Sequence, residues 1–263
     1  MPCLVSQADR FGVKVISRIE GSTPLMSSML MLFNSVSGEI LALMDTDWIT
    51  AMRTGAVAAL AAQTFRHSGH CSYSFIGLGN TARATLLCML ESEPEKHFKV
   101  LLTRHKEQEL SFISRFEGYG NVSFECVDTP EDAIRDSDVI ISCISSADSL
   151  ICSDVNLFRE GCLVIPVHSR GFQNCDTEFD KVFGDDTGHV CGFKFFNQFR
   201  RYAEFCDVLD GTAAGRENDR ERILSYNIGI GLHDVVFASH ILPMIEASCS
   251  DIALDKPVEK FWI

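Results

Sequence analysis

Apolar and polar residues interleave over Gly12–Ile19, and Met29–Phe33 is apolar throughout; both patterns predict strands. Asn34–Gly38 (NSVSG) supplies turn residues before another strand over Glu39–Met44. Thr46 or Asp47 can cap a helix with an alanine-rich body, Ile49–Phe65, which Gly69 stops near His67. From Cys71 the pattern changes to strands alternating with helices. Strands are predicted over Ser72–Ile76, Phe98–Thr103, Val122–Val127, Asp138–Ile144, Gly161–Val167 and Lys181–Gly184. Helices are predicted over Thr81–Glu91, Glu107–Glu117 and Pro130–Arg135. Such alternation means βαβ units and a parallel sheet, an α/β fold. The chain closes with a strand over Ile223–Asn227 and a long helix over Gly229–Ala247, which Pro243 should kink or shorten.

The 263 residues suffice for a sizeable core without disulfide or metal staples. The net charge of −13 argues against nucleic acid or an anionic membrane as main partner. It leaves room for an anionic cofactor, because a helix N-terminus binds phosphate locally. The 11 cysteines are odd in number, irregularly spaced and without Cys-x-x-Cys. Met1–Ile16 carries Asp9, Arg10 and Lys14 and lacks the apolar core of a secretory leader. Reduced thiols in the cytosol are therefore expected. No apolar run approaches the ~20 residues of a membrane span.

The sharpest motif is Gly77-Leu78-Gly79-Asn80-Thr81-Ala82, a G-x-G-x-x-A between a predicted strand and helix. Gly77 permits a tight turn, Gly79 leaves room for a pyrophosphate, and Ala82 allows close helix–strand packing. The helix start beyond them attracts phosphate. A carboxylate for the ribose 2′-OH belongs at the end of the next strand, ~20 residues on. That place reads Thr103-Arg104-His105-Lys106, with cations and a hydroxyl instead. NADP(H) is accordingly the preferred cofactor, with NAD(H) possible.

Four stretches in order, GVKVIS (Gly12–Ser17), FNSVSGEILALMD (Phe33–Asp45), ITAMRTGAVAALAA (Ile49–Ala62) and FIGLGNTARA (Phe75–Ala84), resemble the ornithine cyclodeaminase/μ-crystallin family. VLDGTAAGREN (Val208–Asn218), ILSYNIG and GLHD are similar to its closing region. The resemblance implies a Rossmann NAD(P)-binding domain over residues 67–226. A smaller α+β domain for substrate and dimerisation would be built from residues 1–66 and 227–263. It implies a homodimer and a small amino-, imino- or keto-acid substrate. The activity implied is hydride transfer at the Cα–N bond of an amino or imino acid. Ornithine cyclodeamination and non-catalytic NADPH binding stand as alternatives.

By the same resemblance Lys14 and Arg53 are the substrate-side cations. Arginine can hold an α-carboxylate bidentately, and lysine can donate a proton to the reacting centre. Ser27 matches a substrate-side hydroxyl. Cys143 and Ser145, ending the fourth βαβ strand, and Asn227 and Gly229, before the last helix, fall where the family's cofactor passes. Two departures appear. The family usually carries a further ~50–60 residues ahead of the segment that begins here, including an arginine for substrate and part of the dimer sheet. It also often carries an acid/base aspartate after the fifth strand, where this chain has Arg170. Asp176 is the nearest carboxylate, His168 can titrate near neutral pH, and Arg170 can take a substrate carboxylate.

His67 with His70, and Asp185, Asp186 and His189, lack recognisable metal-ligand spacing and read as solvated turns, so no metal is expected. Asp234 reads as a first-turn helix acid favoured by the dipole. The cysteines read as small core residues.

Overall fold

A computed structural model of the chain describes residues 1–22, 26–69 and 71–253. His70 of the His67–His70 pair, and the end of the segment 227–263, lie outside the described residues.

The first sheet is antiparallel, in the order β1 (Pro2–Val5), β2 (Arg10–Arg18), β3 (Met26–Asn34) and β4 (Ile40–Asp45). Asn34 builds the expected turn between β3 and β4, its Oδ1 accepting from the backbone N–H groups of Val36 and Ser37. Strand parity sorts the side chains. Lys14, Leu30 and Met44 are register partners and point inward, where all three are buried. Val15 with Met29, and Met31 with Leu43, are the neighbouring pairs and lie exposed on the other face.

The inner face is covered by α1 (Asp47–Phe65) and by the C-terminal helix, so the two chain ends meet. Leu30, Leu32, Met44 and Ile49 pack with Val235 and Ala238. The alanines of α1, Ala58, Ala59, Ala61 and Ala62, present almost no bulk and let the same helix lie against the second sheet and its first helix.

That second sheet has eight parallel strands. In chain order they are β5 (Ser72–Ile76), β6 (Phe98–Thr103), β7 (Val122–Val127), β8 (Val139–Ser142), β9 (Leu163–Pro166), β10 (Lys181–Gly184), β11 (Tyr202–Glu204) and β12 (Ile223–Tyr226). Their spatial order is β11-β10-β12-β9-β8-β5-β6-β7. The chain reverses between β5 and β8, the switch point at which open α/β sheets bind ligands beyond their strand ends. Between strands lie α2 (Asn80–Ser92), α3 (Gln108–Ser114), α4 (Pro130–Arg135), α5 (Cys175–Glu178), α6 (Thr187–Val190) and α7 (Phe205–Leu209). The C-terminal helix, α8, runs Gly231–Ile245. It starts two residues later than the sequence predicts because Gly229 is left-handed, at φ +90°, and Ile230 is extended. Pro243 lies in its last turn, where it removes the N–H that would bond the Ser239 carbonyl, and the helix ends two residues later at Ile245. No helix among the described residues is long and apolar enough to cross a membrane.

Candidate active site

Lys14 enters the site from β2 and Arg53 from α1, and both are buried, at 1% and 4% exposure. One residue on α8 joins them. Asp234 Oδ1 accepts from Lys14 Nζ at 2.7 Å and from Arg53 Nε at 3.0 Å. Thr50, one turn before Arg53 on the same face of α1, accepts from Lys14 Nζ at 2.5 Å. Two cations thus share one carboxylate oxygen in a water-excluded space. In that same space Arg53 Nη1 and Asp234 Oδ2 are buried without a hydrogen-bond partner among the described residues. The two paired residues thus each keep one open polar atom, a donor on Arg53 and an acceptor on Asp234, which native interiors usually satisfy with protein, water or a ligand. Burial lowers the pKa of Lys14, while its hydrogen bond to Asp234 opposes that shift.

The loops beyond the parallel strands close the site from the other side. Asp185, directly after β10, accepts from Asn227 Nδ2 at 2.9 Å and from the Gly229 N–H at 2.6 Å. Those bonds hold Gly229 against Arg53: a Cβ there would lie 1.5 Å from Arg53 Nη1. Burial raises the pKa of Asp185, against the opposing effects of these bonds and of His233 and Arg53. His233, beside Asp234, is held below its ordinary value by burial. Asp185 and Asp234 therefore belong to the cationic cluster, not to solvated turns or a simple helix dipole. Asp185 carried one usable signal, since it follows the apolar strand Lys181–Gly184 at the sheet edge where ligands bind. Asp234 carried none, being 220 residues from Lys14.

The phosphate turn follows β5. Gly77 has φ +85°, and a Cβ on it would come within 2.9 Å of the Cys143 backbone, so only glycine fits. Gly79 precedes α2 and would meet nothing within 4 Å. No side chain caps α2, so its first N–H groups face that open space, with Asn80 and Thr81 in the first turn and Ala82 buried. Thr103, at the end of β6, is buried with an unpartnered hydroxyl. The cradle and the waiting hydroxyl fit a dinucleotide's phosphates and ribose. Arg104 is exposed and pairs with Asp128, at the end of the adjacent strand β7, at 2.5 Å. Cys143 lies against Gly77, its thiol pushed up to about 12 by burial, and Ser145 is exposed.

Other expected residues lie elsewhere. The structure turns Ser27 outward, and the inward hydroxyl is Ser28, which bonds Asp47 and sits 3.1 Å from Thr50 Oγ1. One residue of strand parity makes the difference. Asp176 is buried on α5 and accepts from Tyr226 Oη at 2.6 Å. Among the described residues no bond or ion pair joins it to Lys14 or Arg53; burial raises its pKa to about 6. His168 Nε2 sits 2.7 Å from Ser142 Oγ at the end of β8, with its pKa lowered by burial. Arg170 is exposed two residues further on.

The family model described as the ornithine cyclodeaminase/mu-crystallin family matches residues 1–248. The nodulation efficiency protein NfeD of Rhizobium meliloti is 26% identical over 259 residues, covering 94% of this chain and 79% of that protein. The Δ(1)-pyrroline-2-carboxylate reductase of Bacillus cereus is 23% identical over 261 residues, covering 92% and 79%. The structure of Thermococcus litoralis Δ(1)-pyrroline-2-carboxylate reductase with NADH and L-proline superposes with a TM-score of 0.78 at 20% identity, covering 94% and 86%.

Proposed function

The chain belongs to the ornithine cyclodeaminase/mu-crystallin family, and from that premise we propose that it is an NAD(P)(H)-dependent oxidoreductase acting on the Cα–N bond of a small amino or imino acid. The observation that carries this reading is the pair of open atoms, Arg53 Nη1 and Asp234 Oδ2, in one buried cluster. An α-imino acid, once its nitrogen is protonated, offers a carboxylate and an iminium N–H to such a donor and acceptor. Arg53 holds the carboxylate, charge-assisted and shielded from water. Asp234 Oδ2 accepts from the substrate nitrogen and fixes the face of Cα that is presented. Lys14 Nζ, its pKa lowered by burial, gives the proton that makes this iminium, and hydride addition to Cα then leaves the neutral amine. Gly77–Ala82 and Thr103 would hold the dinucleotide, which when bound would supply the hydride for Cα. In this reading residues 67–226 hold the cofactor. Residues 1–66 and 227–263 bind substrate and make a homodimer through the exposed Val15–Met29–Met31–Leu43 face.

A screen of NADH and NADPH oxidation over cyclic imino acids, and over keto acids with amines, tests the proposal. Net oxidation with at least one substrate is expected. Ammonia release from ornithine without net oxidation would replace this reading with cyclodeamination.

The cofactor site has its own tests. Gly79 has an ordinary φ of −74° and free space around it, so Gly79→Val should fold normally. Its side chain would stand where the pyrophosphate approaches, and dinucleotide affinity should fall on the order of a hundredfold. Fluorescence titration with NADH reads this directly, and full affinity would place the dinucleotide elsewhere. For the choice between cofactors, Arg104 is the residue we assign to a 2′-phosphate. Arg104→Ala should lower the NADPH-to-NADH affinity ratio about tenfold, the loss of one charge-assisted contact. Its exposed pair with Asp128 adds little to stability, so the fold should be unaffected. An unchanged ratio would remove Arg104 from the site.

A further inference from the structure

A second cleft, of about 500 Å³, opens between the start of α1, the first turns of α2 and the end of α3. It shares only Asn80 with the phosphate turn and no residue with the Lys14–Arg53–Asp234 cluster. Its walls are apolar, formed by Trp48, Met52, Leu87 and Phe116, yet Arg83 and Arg115 both line it. Arg83 is badly placed for a cation. It sits in the first turn of α2, where the helix dipole repels positive charge. Among the described residues its Nε is buried without a hydrogen-bond partner, and its side chain bonds through Nη2 to Ser111 Oγ at 3.2 Å. Burial, and then the charge of Arg115, lower its pKa. Among the described residues no ion pair reaches either arginine, in a chain where acids outnumber bases by 13. The one acid in the wall, Asp47, is occupied by Ser28, accepting from its backbone N–H at 2.6 Å and from its hydroxyl at 3.1 Å. Two neighbouring arginines without an ion pair among the described residues, beside an aromatic and aliphatic wall, call for an anion with an apolar body.

We propose that this cleft binds a small carboxylate with an aromatic or branched aliphatic body, its carboxylate on Arg83 and Arg115 and its body against Trp48, Met52 and Phe116. The proposal stands on the cleft alone and does not depend on the chemistry assigned to Lys14.

Trp48 is 61% exposed in the cleft and serves as a reporter once Trp262→Phe makes it the sole tryptophan. In that background, 3-phenylpropionate should produce a saturable change in Trp48 fluorescence. The uncharged 3-phenylpropionamide should bind about tenfold more weakly, and so should 3-phenylpropionate to Arg83→Gln and to Arg115→Gln. Melting curves confirm that these variants are folded. No saturable change, an equal response to the amide, or unchanged affinity in both arginine variants would overturn the proposal. So would equal binding of inorganic phosphate, which would make the apolar wall irrelevant. Displacement by NADH would move the carboxylate to the dinucleotide site and overturn it as well. A signal that follows protein concentration instead of ligand would assign the cleft to a second copy of the chain.

Discussion

Lys14→Ala should lower turnover by roughly 10²–10⁴-fold, the range for losing a positioned general acid. The dinucleotide dissociation constant should stay unchanged. Three features support a loss of this size. The ammonium is 1% exposed, so water cannot readily substitute for it. Thr50 and Asp234 fix Nζ in one place, at 2.5 and 2.7 Å. Burial also lowers its pKa below that of a free lysine, which makes the ammonium a stronger acid. The fold should tolerate the change, because Asp234 keeps Arg53 as its partner. Lys14→Arg keeps the charge but not the compact donor, and should recover little activity. Comparing kcat with NADH affinity in each variant separates the two effects. Turnover within a few-fold of the parent would remove Lys14 from the chemistry.

Asp234→Ala should be the most destabilising single change at the site, costing about 3–5 kcal/mol. Asp234 is the carboxylate paired with both Lys14 and Arg53, and it is fully buried. Its removal leaves two cations facing each other without compensation, at the junction of β2, α1 and α8. Asp234→Asn keeps an acceptor oxygen for the same donors but not the charge, so its loss should be smaller. Urea denaturation of both variants measures the difference. A cost below about 1 kcal/mol for the alanine variant would mean that the cations find other partners, and the site would need redrawing.

The elements with a strong local pattern could be read from the sequence, and those defined by tertiary neighbours could not. The alanine-rich Ile49–Phe65 body and the turn Gly77–Ala82 carry their own physical signature, and both stand where expected. The strands Pro2–Val5 and Tyr202–Glu204 escape because four and three residues are too few to show a period. Ser27 and Ser28 are indistinguishable until pairing with β2 sets which one faces Lys14. Asp234 and Asp185 look like ordinary acids at a helix start and in a turn. Only the packing of α8 on the first sheet, and the bonds from Asn227 and Gly229, bring them to Arg53.

In the proposed reaction, hydride passes to the α-carbon of an imino acid held by Arg53 and Asp234. Incubating the protein with NADH and NADPH deuterated at the transferable C4 position, together with Δ(1)-pyrroline-2-carboxylate, and locating the label by mass spectrometry tests it most directly. The expected product is proline carrying one deuterium at Cα, with no labelled product from Arg53→Ala under the same conditions. Binding of the reduced dinucleotide with no deuterium reaching this or any other α-imino acid offered would contradict it.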